Sequence, residues 1–143
     1  MPDLDTEKRL VKKALEARGQ SYSPYSHFRV GAALLTASGN IYTGCNIENA
    51  SYGAGICAER TAAVKAVSSG DAEFAAIAVA GFPNNAADEE RDLAFPCGIC
   101  RQFLNEFACA GMPVYIARAE DDYYSTTLDD LLPHSFGPND LIK

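Results

Sequence analysis

At 143 residues, with 48% hydrophobic and 22% charged residues, the chain has the length and composition of one folded domain with a real core, which excludes a disordered or low-complexity protein. Twelve Lys and Arg against 19 Asp and Glu give a net charge of −7, a sign that disfavours a nucleic-acid backbone as partner and suits a small neutral ligand. No apolar run reaches the ~18 residues of a membrane span, the first ten residues lack the apolar core of a secretory signal, and an odd count of five cysteines fits a reducing cytoplasm with free or metal-bound thiols.

In chain order, residues 4–18 read as an amphipathic helix, with Leu4, Leu10, Val11, Ala14 and Leu15 near one face and Gly19 as a stop. Residues 21–26 form a loop around Pro24. Residues 29–36 and 41–45 read as two strands joined through Ser38-Gly39-Asn40, a hairpin. A polar stretch, 46–55, lies between the second strand and the next helix, a usual place for binding groups. That helix starts near Cys57 and ends at Ser68-Ser69-Gly70, with Ala62, Ala63, Val64 and Val67 available for packing. Residues 74–80 are almost continuously apolar, as in a central strand covered on both faces. After a long Pro/Asn/acidic loop, 82–95, a third helix is predicted from about Cys97 to Ala110, with Phe103, Leu104 and Phe107 inward and Gly111 ending it. Residues 113–117 form another strand, and 128–141 hold a short helix and a Pro/Gly-broken end. Helices alternating with strands, plus one hairpin, predict an α/β protein: a three-layer α-β-α sandwich with a mixed sheet, as a single domain over residues 1–143.

Chemistry concentrates in Cys57-Ala58-Glu59 and, forty positions on, Pro96-Cys97-Gly98-Ile99-Cys100. Three thiolates can hold one zinc ion and leave its fourth position to water, which distinguishes a catalytic zinc from a structural one. Both segments open predicted helices, whose partial positive charge stabilises thiolates. Cys97 and Cys100, three apart, share a face, and Glu59, in a first turn, can lean over the metal to move protons. Three thiolates and Zn²⁺ sum to −1, which would weaken the Lewis acid. Arg60, three residues after Cys57, can donate to a thiolate and draw off charge. Other readings stand beside this one. The Cys-x-x-Cys pair alone could be a redox pair or buried thiols, and Cys45 as a fourth ligand would make a structural site. Cys45 and Cys109 otherwise read as packed free thiols, and His27 and His134 as ordinary loop residues.

Three Cys, or His and two Cys, around zinc with a non-ligating Glu is the pattern of nucleobase deaminases. The chain closely resembles the small homotetrameric cytidine deaminases of pyrimidine salvage over roughly residues 22–141. Its carriers are Ser26-His27-Phe28-Arg29-Val30-Gly31-Ala32-Ala33-Leu34-Leu35, Gly44-Cys45-Asn46-Ile47-Glu48-Asn49-Ala50, Cys57-Ala58-Glu59-Arg60-Thr61-Ala62 and Pro96-Cys97-Gly98-Ile99-Cys100-Arg101-Gln102, then Leu131-Leu132-Pro133 through Phe136-Gly137-Pro138. The resemblance implies one zinc per subunit on Cys57, Cys97 and Cys100, with proton transfer by Glu59. It implies substrate contacts at Phe28 and Ala58 and ribose recognition by Asn46 and Glu48. An amide and a carboxylate together donate to and accept from sugar hydroxyls, and an aromatic wall stacks on a flat pyrimidine. Read alone, Phe28 is equally a core aromatic and Asn46 a turn residue. By the same resemblance Ala50, Tyr52 and Phe136 reach the active site of an adjacent chain in a homotetramer. Phe95 stands where the family usually has Ser or Thr, and the 82–95 loop is longer than usual.

The expected activity is hydrolytic deamination of cytidine, and of 2′-deoxycytidine, to the uridine counterpart plus ammonia, by zinc-activated hydroxide with Glu59 as proton shuttle. The alternatives are a deaminase of a nucleoside-like antibiotic or modified base on the same scaffold, or a zinc-stabilised binding module without catalysis. The expected partners are a small-molecule nucleoside and further copies of the chain, with no nucleic acid and no membrane.

Overall fold

The computed structural model describes residues 2–142. Helix α1 (Leu4–Ala17) begins at Asp3, whose side chain accepts from the Thr6 N–H at 2.8 Å. It tightens into a 3₁₀ turn over Arg18–Gln20, so Gly19 lies inside that turn and does not end the helix. Strands β1 (Phe28–Thr36) and β2 (Ile41–Cys45) make the expected hairpin, with Gly39 in a left-handed conformation (φ 92°) at its tip. There follow α2 (Ala58–Ser68), β3 (Phe74–Pro83), α3 (Gly98–Asn105), β4 (Pro113–Ala119), β5 (Asp122–Thr127), α4 (Leu128–Leu131) and α5 (Pro138–Leu141).

The five strands form one mixed sheet in the order β2-β1-β3-β4-β5, with β3 in the middle. Only β3 and β4 pair in parallel, bridged by α3. The other three pairings are antiparallel. Alternate residues of β1, β3 and β4 point to opposite faces. Ala33, Ala76, Ala78, Ala80, Tyr115 and Ala117 meet Leu10, Val11 and Ala14 of α1. Leu34, Ile77, Val79, Val114 and Ile116 meet Ala58, Ala62 and Ala66 of α2 and Leu104 of α3. The result is the three-layer sandwich expected. The small residues on the α1 face let the helix approach closely. At Gly31 a Cβ would stand 2.1 Å from the Ala14 carbonyl oxygen.

Four details differ from the sequence reading. Leu4, the first residue of α1, is 59% exposed, and Val64 of α2 is exposed as well. Helix α3 stops at Asn105 and not at Ala110. The backbone at Phe107 and Cys109 instead bonds Phe74 on both sides, at 2.9 and 3.0 Å, capturing that segment as a sheet extension. Gly111 (φ 68°) belongs to the turn into β4. Finally, β5 completes the sheet as an edge strand beyond β4.

Candidate active site

Helices α2 and α3 direct their N-termini to one place, beside the start of β1 and the ends of β2 and β3. Gly44 in β2 allows this. A Cβ there would stand 2.5 Å from the Ala62 backbone N and 2.7 Å from the Ala58 carbonyl oxygen, so α2 rests directly on the strand backbone. Cys57 and Cys97 occupy the capping positions of the two helices in extended backbone conformations. Neither uses its side chain as a cap, which leaves both sulfurs free to turn to a common point.

Three sulfurs each about 2.3 Å from one tetrahedral zinc would lie about 3.8 Å apart. Here Cys57 Sγ and Cys97 Sγ are 3.8 Å apart, Cys97 Sγ and Cys100 Sγ 3.4 Å, and all three lie within 4.8 Å of one another. The donor set therefore fits zinc in type, number and spacing. Neither Cys45 nor a carboxylate joins this cluster among the described residues, so the four-thiolate arrangement with Cys45 is not formed. All five cysteines are free thiols. Cys109 is exposed at the far end of the sheet and is not packed as expected, while Cys45 is half-buried.

Electrostatics follow from this crowding. The neighbouring Cys100 thiol first, with further help from Arg60 and Cys97, draws the Cys57 thiol down to about 5 against the pull of burial. Cys100, beside the Cys57 sulfur, is pushed upward by that neighbour first, with burial and Glu59 adding to the effect. One negative charge is thus easy to place on the trio and further ones need a cation. Arg60 Nη2 donates to Cys57 Sγ at 3.7 Å, while its Nε is buried without a partner. Glu59, on the first turn of α2, is 4% exposed. Burial pushes its carboxyl up to about 7, with the Cys57 charge adding to the rise and its own backbone N–H and Arg60 opposing it.

Glu59, Cys57, Ala58 and Cys97 form the floor of a cavity of about 430 Å³, within the ~300–1,000 Å³ range of small-molecule sites. Phe28 and Phe95 stand in its walls with Val30, Ile56 and Val79. A second hollow of about 340 Å³ adjoins it and shares Glu48, Tyr52 and Gly55, so the two make one cleft. Phe28, half in solvent at the start of β1, is therefore a wall residue and not a core aromatic.

Asn46 and Glu48 both border the cleft but are held differently. Asn46 Oδ1 accepts from the Val30 N–H at 2.9 Å and from the Ser21 hydroxyl, and its Nδ2 donates to the Phe28 carbonyl at 2.9 Å. Most of its bonding capacity ties β2 to β1, and one amide hydrogen remains for a ligand. Glu48 keeps open lone pairs on an exposed carboxylate. Its carboxyl is held below the ordinary range by the Ser26 hydroxyl first, helped by the Ser26 and Tyr25 N–H groups. Tyr52, 81% exposed, borders its own chain's cleft, whereas Ala50 and Phe136, both exposed, do not line it. Of the residues that shape the site, sequence reasoning gave no role to Ser21, a loop serine, or to Ser26, which it named only within a family motif; their contacts to Asn46 and Glu48 are set by the fold.

Residues 4–116 match the family described as the cytidine and deoxycytidylate deaminase zinc-binding region. A cytidine deaminase of Sporosarcina psychrophila is 49% identical over 138 residues, covering 96% of each chain. One from Halalkalibacterium halodurans is 46% identical over 92% of this chain and 95% of its own. Among solved structures, the cytidine deaminase of Burkholderia pseudomallei superposes with a TM-score of 0.78 at 42% identity, covering 90% of this chain and 97% of that one.

Proposed function

The chain belongs to the family of cytidine and deoxycytidylate deaminases, a zinc-binding family, and on that premise we propose that it hydrolyses cytidine, and 2′-deoxycytidine with it, to the uridine counterpart and ammonia in pyrimidine salvage. The observation that carries this reading is the sulfur triangle of Cys57, Cys97 and Cys100 beside the buried carboxylate of Glu59, on the floor of a cleft of nucleoside size. Cys57, Cys97 and Cys100 would hold the zinc. When bound, it supplies Lewis acidity that brings the pKa of a water toward neutrality.

Glu59 does the proton work. Its carboxylate takes a proton from the attacking water and delivers it to N3 of the ring, while the water oxygen bonds to C4. Burial favours the protonated form of its carboxyl, which suits a group that must take up a proton and then hand it on. Glu59 then passes the remaining hydroxyl proton to the exocyclic amine, the C4–N4 bond breaks, and ammonia leaves with its electron pair, giving the uracil ring. Burial of Glu59 keeps bulk water from competing for these protons. Arg60 offsets the charge of the thiolates, and Phe28 stacks on the base with Ala58 beneath it.

Glu48 accepts from ribose hydroxyls, and the spare Asn46 amide hydrogen donates to one. The anionic Glu48 also repels a phosphate, favouring nucleoside over nucleotide. Ala50 and Phe136, set away from the cleft of their own chain, and the exposed Tyr52 suit contacts to neighbouring copies. The assembly we propose is a cytoplasmic homotetramer of single-domain chains with shared sites. No helix among the described residues is long and apolar enough to cross a membrane. The test is loss of cytidine absorbance by the protein with and without a zinc chelator. Turnover that stops with chelation and returns with zinc is expected, and chelator-insensitive turnover would refute the reading.

A further inference from the structure

The segment 21–27, between the 3₁₀ turn after α1 and strand β1, contributes nothing to the metal trio, yet both polar residues at the sugar end of the cleft lean on it. Ser26 is the junction. Its N–H donates to Glu48 Oε1 at 3.2 Å, beside the Tyr25 N–H at 3.0 Å, and its hydroxyl donates to Glu48 Oε2. The same hydroxyl accepts from the Phe28 N–H at 3.0 Å. Both carboxylate oxygens are therefore engaged, which sets the plane of a side chain that would otherwise sample many rotamers at the surface. The aromatic wall is tied to the same oxygen.

His27, between Ser26 and Phe28, takes φ 57°, a conformation unusual for a residue with a side chain. It is held from both sides, its N–H bonding the Ser23 carbonyl at 3.0 Å and its carbonyl accepting from the Asn84 N–H at 3.1 Å. That bend is what turns the Ser26 hydroxyl back toward the Phe28 N–H. A hydroxyl that only closed a loop would need one partner; this one has two, and they are the carboxylate and the ring assigned to the two ends of one substrate.

We propose that Ser26 is a positioning residue for nucleoside binding, acting through the Glu48 carboxylate and the Phe28 backbone without touching the reacting atoms. This rests on the reading that Glu48 binds the sugar. In the zinc-loaded enzyme, Ser26→Ala should raise KM for cytidine about tenfold, the scale of a hydrogen bond to a charged group, with a smaller change in kcat. Ser26→Thr, which keeps the hydroxyl, should restore KM.

The double variant Ser26→Ala/Glu48→Ala should lose less than the product of the two single losses, because the serine works in part through that carboxylate. A Ser26→Gly variant gives the same comparison if the alanine chain does not fold. If Glu48→Ala raises KM while Ser26→Ala leaves it unchanged, or if the two losses multiply, the positioning role is overturned and the sugar reading stands. If Glu48→Ala itself leaves KM unchanged, the sugar reading falls and the role of Ser26 falls with it.

Discussion

Replacing Gly44 by alanine would add one methyl group where β2 and α2 touch. That methyl carbon would stand 2.5 Å from the Ala62 backbone N and 2.7 Å from the Ala58 carbonyl oxygen, whereas ordinary contact begins near 3.4 Å. Backbone atoms do not swing aside like a side-chain tip, so α2 must lift by roughly 0.9 Å from a close-packed strand. Overpacking of this kind costs about 1–3 kcal/mol, which for a chain of this size lowers Tm by ~3–10 °C. The lift also carries Cys57 and Glu59 away from Cys97 and Cys100, which are anchored on the separate helix α3. Competition against a graded chelator should therefore show zinc retention weakened about tenfold, the scale of disturbances around metal ligands. Thermal unfolding and chelator competition check the two effects together. A Gly44→Ala chain with unchanged Tm and unchanged zinc retention would refute the claim that strand-to-helix contact sets the sulfur triangle.

Arg60→Ala should leave the fold intact and lower kcat about tenfold, with the acid limb of the pH–rate profile moved to higher pH as the thiolates lose the neighbouring cation; an unchanged profile would count against the role of Arg60. In chelator-treated protein, the raised pKa of Glu59, from its ordinary 4.5 to about 7, means that the folded chain binds this proton more tightly than the unfolded one. The contribution is fully present below pH 4.5 and is lost as pH rises through 7, a cost of roughly 3 kcal/mol by neutral pH. Cys57, drawn down to about 5, acts in the opposite sense as pH rises. The difference in stability between the parent chain and Glu59→Gln, followed by denaturant titration from pH 4 to 8, therefore isolates Glu59; a pH-independent difference would show that burial does not hold its proton.

Much of the site was legible in the sequence because it depends on local spacing. Cys57 and Cys97 each open a helix, and the helix signals nearby place them there whatever the rest of the chain does. Only the fold could say that the two helix ends meet, and it does so through Gly44, whose need to lack a side chain is set by a partner eighteen residues away at Ala62. Residues 106–110 continue a helical pattern, and their capture by Phe74 is a tertiary hydrogen-bond choice that no local propensity records. Strand β5 has the aromatic and β-branched residues of a strand in Tyr123-Tyr124-Ser125-Thr126-Thr127, but as a half-exposed edge strand it shows little apolar alternation. Asn46 is the subtler case. Its motif pointed to ligand binding, and three hydrogen bonds turn out to tie it to strand β1 at Phe28 and Val30 and to the preceding loop at Ser21, which could be learned only from where those residues lie.

The most direct test of a three-thiolate zinc site with an acid/base carboxylate beside it is Glu59→Gln, measured for zinc per chain and for cytidine turnover in the same preparation. Glutamine keeps the shape and removes the proton transfer. The account predicts one zinc per chain, a retained fold and turnover reduced by about 10⁴-fold or more. Loss of the metal would make Glu59 a ligand, and retained turnover would remove it from the chemistry; either result contradicts the account.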